Sequence, residues 1–196
     1  MKKRILQFFF LILLIVGSII IVRNQQSTPF QKSQGKIFGT YYTIIYQSDS
    51  NLSRQITLVL NKVDAALSTF NRTSIISRMN RNEQVTANAM FADVFELGQE
   101  IAKETSGSFD MTVAPLVNAW GFGFKTEKQP SSEVIDSLRQ FVGYEKVSLR
   151  RRRLVKTDDR LQLDCSAIAK GYGTDVVARL LDEKGITNYL VEIGGE

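Results

Sequence analysis

The sequence predicts an α+β fold, a mixed β-sheet with flanking helices. Three observations carry that expectation. Two runs, Lys36–Tyr46 (KIFGTYYTIIY) and Asn188–Ile193 (NYLVEI), are dense in β-branched and aromatic residues and read as strands. Between them, apolar residues recur at helical spacing, as Leu52, Ile56, Val59, Leu60, Val63 and Leu67 do. Strands and helices do not alternate regularly; a single βαβ-like passage near the end brings a parallel element into the sheet.

The elements follow in order. Met1-Lys2-Lys3-Arg4 is a basic start, and Ile5–Val22 is apolar except for Gln7, Gly17 and Ser18. As a helix that stretch spans roughly 27 Å, about the hydrocarbon thickness of a bilayer. Residues 1–23 therefore read as a signal anchor or signal peptide. The charges precede the apolar run, which places the body on the extracytoplasmic side of a cell membrane. Val16-Gly17-Ser18 resembles a cleavage site, but Ile19–Val22 after it would leave an apolar new terminus, which favours an uncleaved transmembrane anchor. Residues 24–35 (NQQSTPFQKSQG) read as a polar linker.

In the body, helices are expected over about 51–67, over Phe91–Glu104 with Gly107 ending it, and from Glu133 to about Phe141. Ser131 or Ser132 caps the last of these, Gly143 stops it, and Ser74–Asn80 adds a helical turn. Three short strands are expected next, Lys146–Leu149, Arg153–Lys156 and Arg160–Asp164, with Thr157-Asp158-Asp159 turning between the last two. A helix from Ala167 to Lys184 follows, with Gly185 after it, and then the final strand.

Composition narrows the chemistry. The 196 residues contain no histidine, which excludes His general bases, Ser-His and Cys-His couples and His-ligated zinc. Cys165 is the single cysteine, so neither an internal disulfide nor a thiolate cluster is possible. A bound metal would need oxygen ligands, as Mg²⁺ or Ca²⁺ do. The net charge is +5, from 25 basic and 20 acidic residues. Lys2, Lys3, Arg4 and Arg23 belong to the acid-free first 23 residues; without them 21 basic residues face 20 acidic ones. A body so close to neutral gives no reason to expect nucleic acid. Arg150–Arg153 reads either as a patch for phosphate or lipid headgroups or as a solvated loop or charged edge strand.

Two stretches concentrate possible chemistry. Leu163–Asp175 (LDCSAIAKGYGTD) leaves a strand with a carboxylate and enters a helix through small residues. Free N–H groups at that helix start, with Lys170, would favour an anion such as pyrophosphate. Small residues there also serve ordinary helix packing. Ser106–Gly123 (SGSFDMTVAPLVNAWGFG) sets an acid and the only tryptophan among glycines and aromatics. It suits a flat heteroaromatic ligand, or equally an aromatic core under a loop. Phe70 reads the same two ways, and Cys165 reads as a small core residue.

Taken together, Gly39-Thr40, Leu67–Asn71 (LSTFN), Ile76–Asn80 (ISRMN), Gly107–Gly123 (GSFDMTVAPLVNAWGFG), Asp164–Gly171 (DCSAIAKG) with Tyr172 and Asp175, and Val191–Glu196 (VEIGGE) resemble the FAD:protein FMN transferases, the ApbE family. The resemblance implies a Mg²⁺-dependent enzyme that cleaves FAD and attaches FMN through a phosphoester to a threonine or serine of a target flavoprotein, releasing AMP. It implies flavin contacts at Phe38, Phe70, Ser108, Phe109, Asp110, Asp164 and Lys170. It places one metal ligand at Ala167, whose backbone carbonyl would serve, and assigns no catalytic residue. Phe38 stands where methionine is frequent, and Phe70 where tyrosine or another aromatic is usual. In the family, roughly half the catalytic domain follows the GGE motif and carries the remaining metal ligands. Residues 36–196 are therefore expected to be the N-terminal part of an FMN transferase domain, incomplete at its C-terminus, and transfer is expected to require the missing part. The alternative is a membrane-tethered, non-catalytic FAD-binding or scaffold protein.

Overall fold

A computed structural model describes residues 2–24, 28–122 and 129–195. Gly123 and Glu196, which close two of the motifs, lie outside them, as does part of the expected linker. The N-terminal apolar run forms helix α1, Lys2–Asn24. Among the described residues no helix is long and apolar enough to cross a membrane.

The body opens with two strands, β1 (Phe30–Ile37) and β2 (Thr40–Gln47), where one strand was expected. They pair antiparallel from Phe30↔Gln47 to Ile37↔Thr40, which leaves Phe38-Gly39 as a two-residue loop. Both loop residues have positive φ, 52° and 76°, the conformation that matches strand twist in a tight hairpin. The expected polar linker is thus corrected, since Phe30–Gly35 are strand. Their polarity did not prevent pairing, because β1 is an edge: Ser33 and Ile37 point inward while the residues between them stay accessible.

Helices α2 (Ser53–Leu67), α3 (Ile75–Asn80) and α4 (Ala89–Glu104) follow close to expectation. Ser74 and Asn88 cap the latter two by accepting from the N–H groups of Ser77 and Phe91. The α4 terminus closes with Ser106 N–H donating to Lys103 and Gly107 N–H to Ala102, and Ser106 takes the left-handed position. Helix α5 (Ala114–Ala119) had not been expected; Pro115 in its first turn starts the helix rather than a loop. Helix α6 spans Ser132–Arg139.

Strands β3 (Val147–Arg150) and β4 (Arg153–Lys156) form a separate hairpin, and its turn is Arg151-Arg152. Arg160–Asp164 is not a strand, and Thr157-Asp158-Asp159 therefore turns no hairpin. The Asn80 side chain explains this: it donates to the Leu163 carbonyl and accepts from the Leu163 N–H, both at 2.8 Å. The backbone edge a neighbouring strand would use is taken, and one parallel bridge, Val113↔Gln162, remains. Helix α7 (Ser166–Glu183) ends in the same two-bond closure at Gly185. Strand β5 (Tyr189–Ile193) joins β2 antiparallel at the sheet edge, and only its last residue is buried. The mixed sheet with a βαβ passage is corrected accordingly: every named strand pairs antiparallel. The α+β class holds.

Two apolar clusters form the interior. The inward face of the β1-β2-β5 sheet, with Tyr42, Ile44, Tyr46 and Ile193, packs on Ile56 and Leu60 of α2 and Val177 and Leu181 of α7. The second cluster gathers Val63 and Leu67 of α2, Phe91, Val94 and Phe95 of α4, and Met111, Leu163, Cys165 and Ala169. Helices α2 and α7 thus belong to both, and Phe38 packs against both.

Candidate functional site

A cleft of about 1010 Å³ opens where the two clusters meet. Phe38, Phe70, Ser108, Phe109, Asp110, Asp164, Ala167 and Lys170 all line it. Tyr172 and Asp175 do not. Tyr172 instead donates to Asp93 at 3.0 Å, and burial with that bond pushes its hydroxyl up to about 12.

Phe38 sits at the β1–β2 turn with φ of 52°, a left-handed conformation uncommon for a bulky residue. Its ring lies against Gly173 of α7, where a β-carbon would stand 2.9 Å from Cε2. Phe70 projects from the turn after α2 and is 53% exposed. That turn is stiff: Ser74 Oγ donates to the Ser68 carbonyl at 2.7 Å, Ser77 Oγ to that of Thr69 at 3.2 Å, and Asn71 Nδ2 to Asp64 at 2.7 Å.

Ser108, Phe109 and Asp110 follow the α4 terminus, and the Phe109 N–H donates to Thr105 Oγ1. Asp110 Oδ1 accepts from both the N–H and the hydroxyl of Thr112 at 2.7 Å, and Thr112 in turn accepts from the Gly143 N–H. The Asp164 N–H donates to the Met111 carbonyl at 2.7 Å, so the segments carrying the two carboxylates are joined. Asp164 Oδ1 accepts from the Ser166 N–H at 2.7 Å, and Asn80 grips the residue before it.

Ser166 and Ala167 are exposed in the first turn of α7, whose N–H end favours negative charge. Lys170 follows on the same face and runs past Gly194, where a β-carbon would stand 3.2 Å from its Cδ. Beneath them Cys165 is buried; burial, with the Asp164 charge nearby, pushes its thiol up to about 12. That agrees with a core residue and not a nucleophile.

The cleft also contains residues that sequence reasoning did not single out: Arg72, Asn80, Asn118, Phe122, Gln162 and Gly194. Asn80, Asn118, Phe122 and Gly194 lie inside quoted motifs, but only the fold brings them here. Among the described residues no three His, Cys, Asp or Glu side chains gather as a metal cage. Mg²⁺ is commonly held by one or two carboxylates with waters and substrate phosphates, so the oxygens here fit it as partial donors.

Exposed phenylalanines, a lysine and a helix N-terminus around one open cavity define a site for a flat, anionic ligand. The chain belongs to the ApbE family, whose sequence model matches residues 38–196. It is 36% identical over 189 residues to the FAD:protein FMN transferase of Haemophilus influenzae, covering 88% of this chain and 55% of that protein. With the Vibrio cholerae enzyme of the same name it shares 35% over 173 residues, 83% of this chain and 52% of the relative. The chain thus spans about half the length of these curated relatives. Among solved structures, the flavin transferase ApbE from Vibrio cholerae superimposes with a TM-score of 0.80 at 34% identity, over 85% of this chain and 58% of that one. The apo flavinyl transferase ApbE of Pseudomonas stutzeri gives 0.78 at 31%, over 86% and 60%.

Proposed function

We propose that this chain is part of an FAD:protein FMN transferase and that its cleft binds FAD as substrate. One observation carries the reading: eight positions spread from Phe38 to Lys170 converge on a single cavity at the N-terminus of α7. Its volume lies at the upper end of the roughly 300–1,000 Å³ typical of ligand pockets. Phe38, Phe70 and Phe109 offer apolar faces to the isoalloxazine ring. Asp110 and Asp164, held by backbone bonds, accept from the ligand's N–H and O–H groups. Lys170 and the α7 N–H groups offset the pyrophosphate charge.

In the reaction, the hydroxyl oxygen of a target threonine or serine attacks the FMN-side phosphorus. The bond from that phosphorus to the bridging oxygen breaks, AMP departs with the oxygen, and the hydroxyl proton is released. Holding the pyrophosphate in line and neutralising its charge supply most of the acceleration in such transfers. Mg²⁺ would be held at the Ala167 carbonyl together with substrate phosphate and water, and it supplies charge neutralisation. The proposal includes a membrane tether. Its support is the apolar run Ile5–Val22 in the sequence and the large apolar side chains that α1 exposes between Phe8 and Ile21. The basic residues before the apolar run favour an extracytoplasmic body.

The second reading, a tethered flavin-binding protein without catalysis, draws on the absence, among the described residues, of three His, Cys, Asp or Glu side chains gathered as a metal cage. Incubation of the intact protein that carries this chain with FAD, Mg²⁺ and a threonine-bearing target separates the two. The first predicts an FMN-sized mass gain on the target that chelation abolishes. FAD binding with no mass gain would favour the second.

A further inference from the structure

The β3–β4 hairpin turns on two arginines in the left-handed conformation, Arg151 with φ of 47° and Arg152 with φ of 60°. The register runs one for one from Val147↔Lys156 to Arg150↔Arg153, so these two form the whole loop. Tight turns of this kind select asparagine, aspartate and glycine, because other side chains crowd the backbone at positive φ. Arginine at both positions opposes that preference. Arg150 and Arg153 also stand directly opposite each other across the strands, where like charges destabilise a pair.

All four arginines are exposed, and none forms an ion pair among the described residues. Arg78, Arg81, Arg139 and Arg160, by contrast, each have an acidic partner. The tip is firmly mounted. The Ala87 N–H donates to the Arg152 carbonyl at 2.8 Å, and Leu149 and Leu154 pack on the second apolar cluster. A strained, self-repelling feature on a rigid base gains nothing within the fold, which points outward to a partner.

The chemistry of that partner is phosphate, which guanidinium forks bind in pairs of hydrogen bonds. Without these four arginines, the body beyond the first 23 residues has 17 basic and 20 acidic residues, so the tip is not one end of a broad basic nucleic-acid surface. Only residues 25–29 separate α1 from β1, a reach of at most about 18 Å. A body on so short a tether stays close to whatever bilayer α1 enters. We propose that the Arg150–Arg153 tip docks on the phosphate headgroups of an anionic membrane surface. The proposal rests on the anchor reading of α1.

The test places the full chain in lipid nanodiscs of phosphatidylcholine, alone or with phosphatidylglycerol, and follows backbone hydrogen exchange over Val147–Lys156. Exchange at the tip should slow several-fold in the anionic discs only, and high salt should reverse it. Arg151→Asn with Arg152→Gly installs the residues the turn prefers, so the variant should melt no lower than the parent while losing the lipid effect. Equal exchange in both discs, or protection that survives the double substitution, overturns the proposal. So does protection by duplex DNA or inorganic phosphate in detergent without any in anionic discs. Co-purification with the discs reports the anchor separately: a chain that stays out contradicts both readings, and one that enters with unchanged exchange contradicts the tip alone.

Discussion

Asn80 satisfies both backbone groups of Leu163, a residue 1% exposed, through one amide. Asn80→Ala leaves a buried donor and acceptor without partners, at a cost of about 2 kcal/mol or more. Urea denaturation should show that loss. Cys165 gives a second prediction. Its ordinary pKa of 9.0 rises to about 12 in the fold, because burial favours the neutral thiol. The stability linked to this group is fully present below pH 9.0 and is lost as pH rises through about 12. A thiol reagent at neutral pH should therefore leave the native chain unmodified and label it once unfolded; rapid native labelling would contradict the burial. At this scale Asp164, Lys170 and Phe70 were expected together through the resemblance that compact local motifs carry, and the fold brings them to one cleft. Asn80 was not, since its partner lies 83 residues away and no local spacing encodes that bond.

Among the elements, α4 owes its place to a glycine. A β-carbon on Gly98 would overlap the Met111 side chain, which fills the groove there. Gly98→Ala should forfeit most of the about 1 kcal/mol that its better helix propensity offers, because Met111 Sδ and Cε must shift to admit the methyl group. Thermal melting decides this, and a higher melting temperature would show that Met111 yields freely. Helices α2, α4 and α7 were readable from the sequence because each presents apolar residues at helical spacing to a core. The hairpins were less so. Phe38-Gly39 and Arg151-Arg152 are tight turns with one or no glycine, where turn chemistry announces itself through Asn-Gly or Asp-Gly. β1 hid behind its polar side chains, since an edge strand is held by backbone pairing. Residues 160–164 looked like a strand by composition, but a side chain had taken the ladder position.

At the scale of the molecule, α2 and α7 tie the sheet to the second cluster, and the cleft opens at their junction. The two carboxylate segments meet through the Met111 carbonyl, so Asp110 and Asp164 rest on joined backbone. The most direct test is titration of the 196-residue chain with FAD, read by flavin fluorescence. Saturable binding should weaken about tenfold or more in Asp164→Ala, as for loss of a charge-assisted hydrogen bond, and should also weaken in Phe70→Ala. An absence of saturable binding, or equal affinity in both variants, would contradict the assignment of this cleft to FAD.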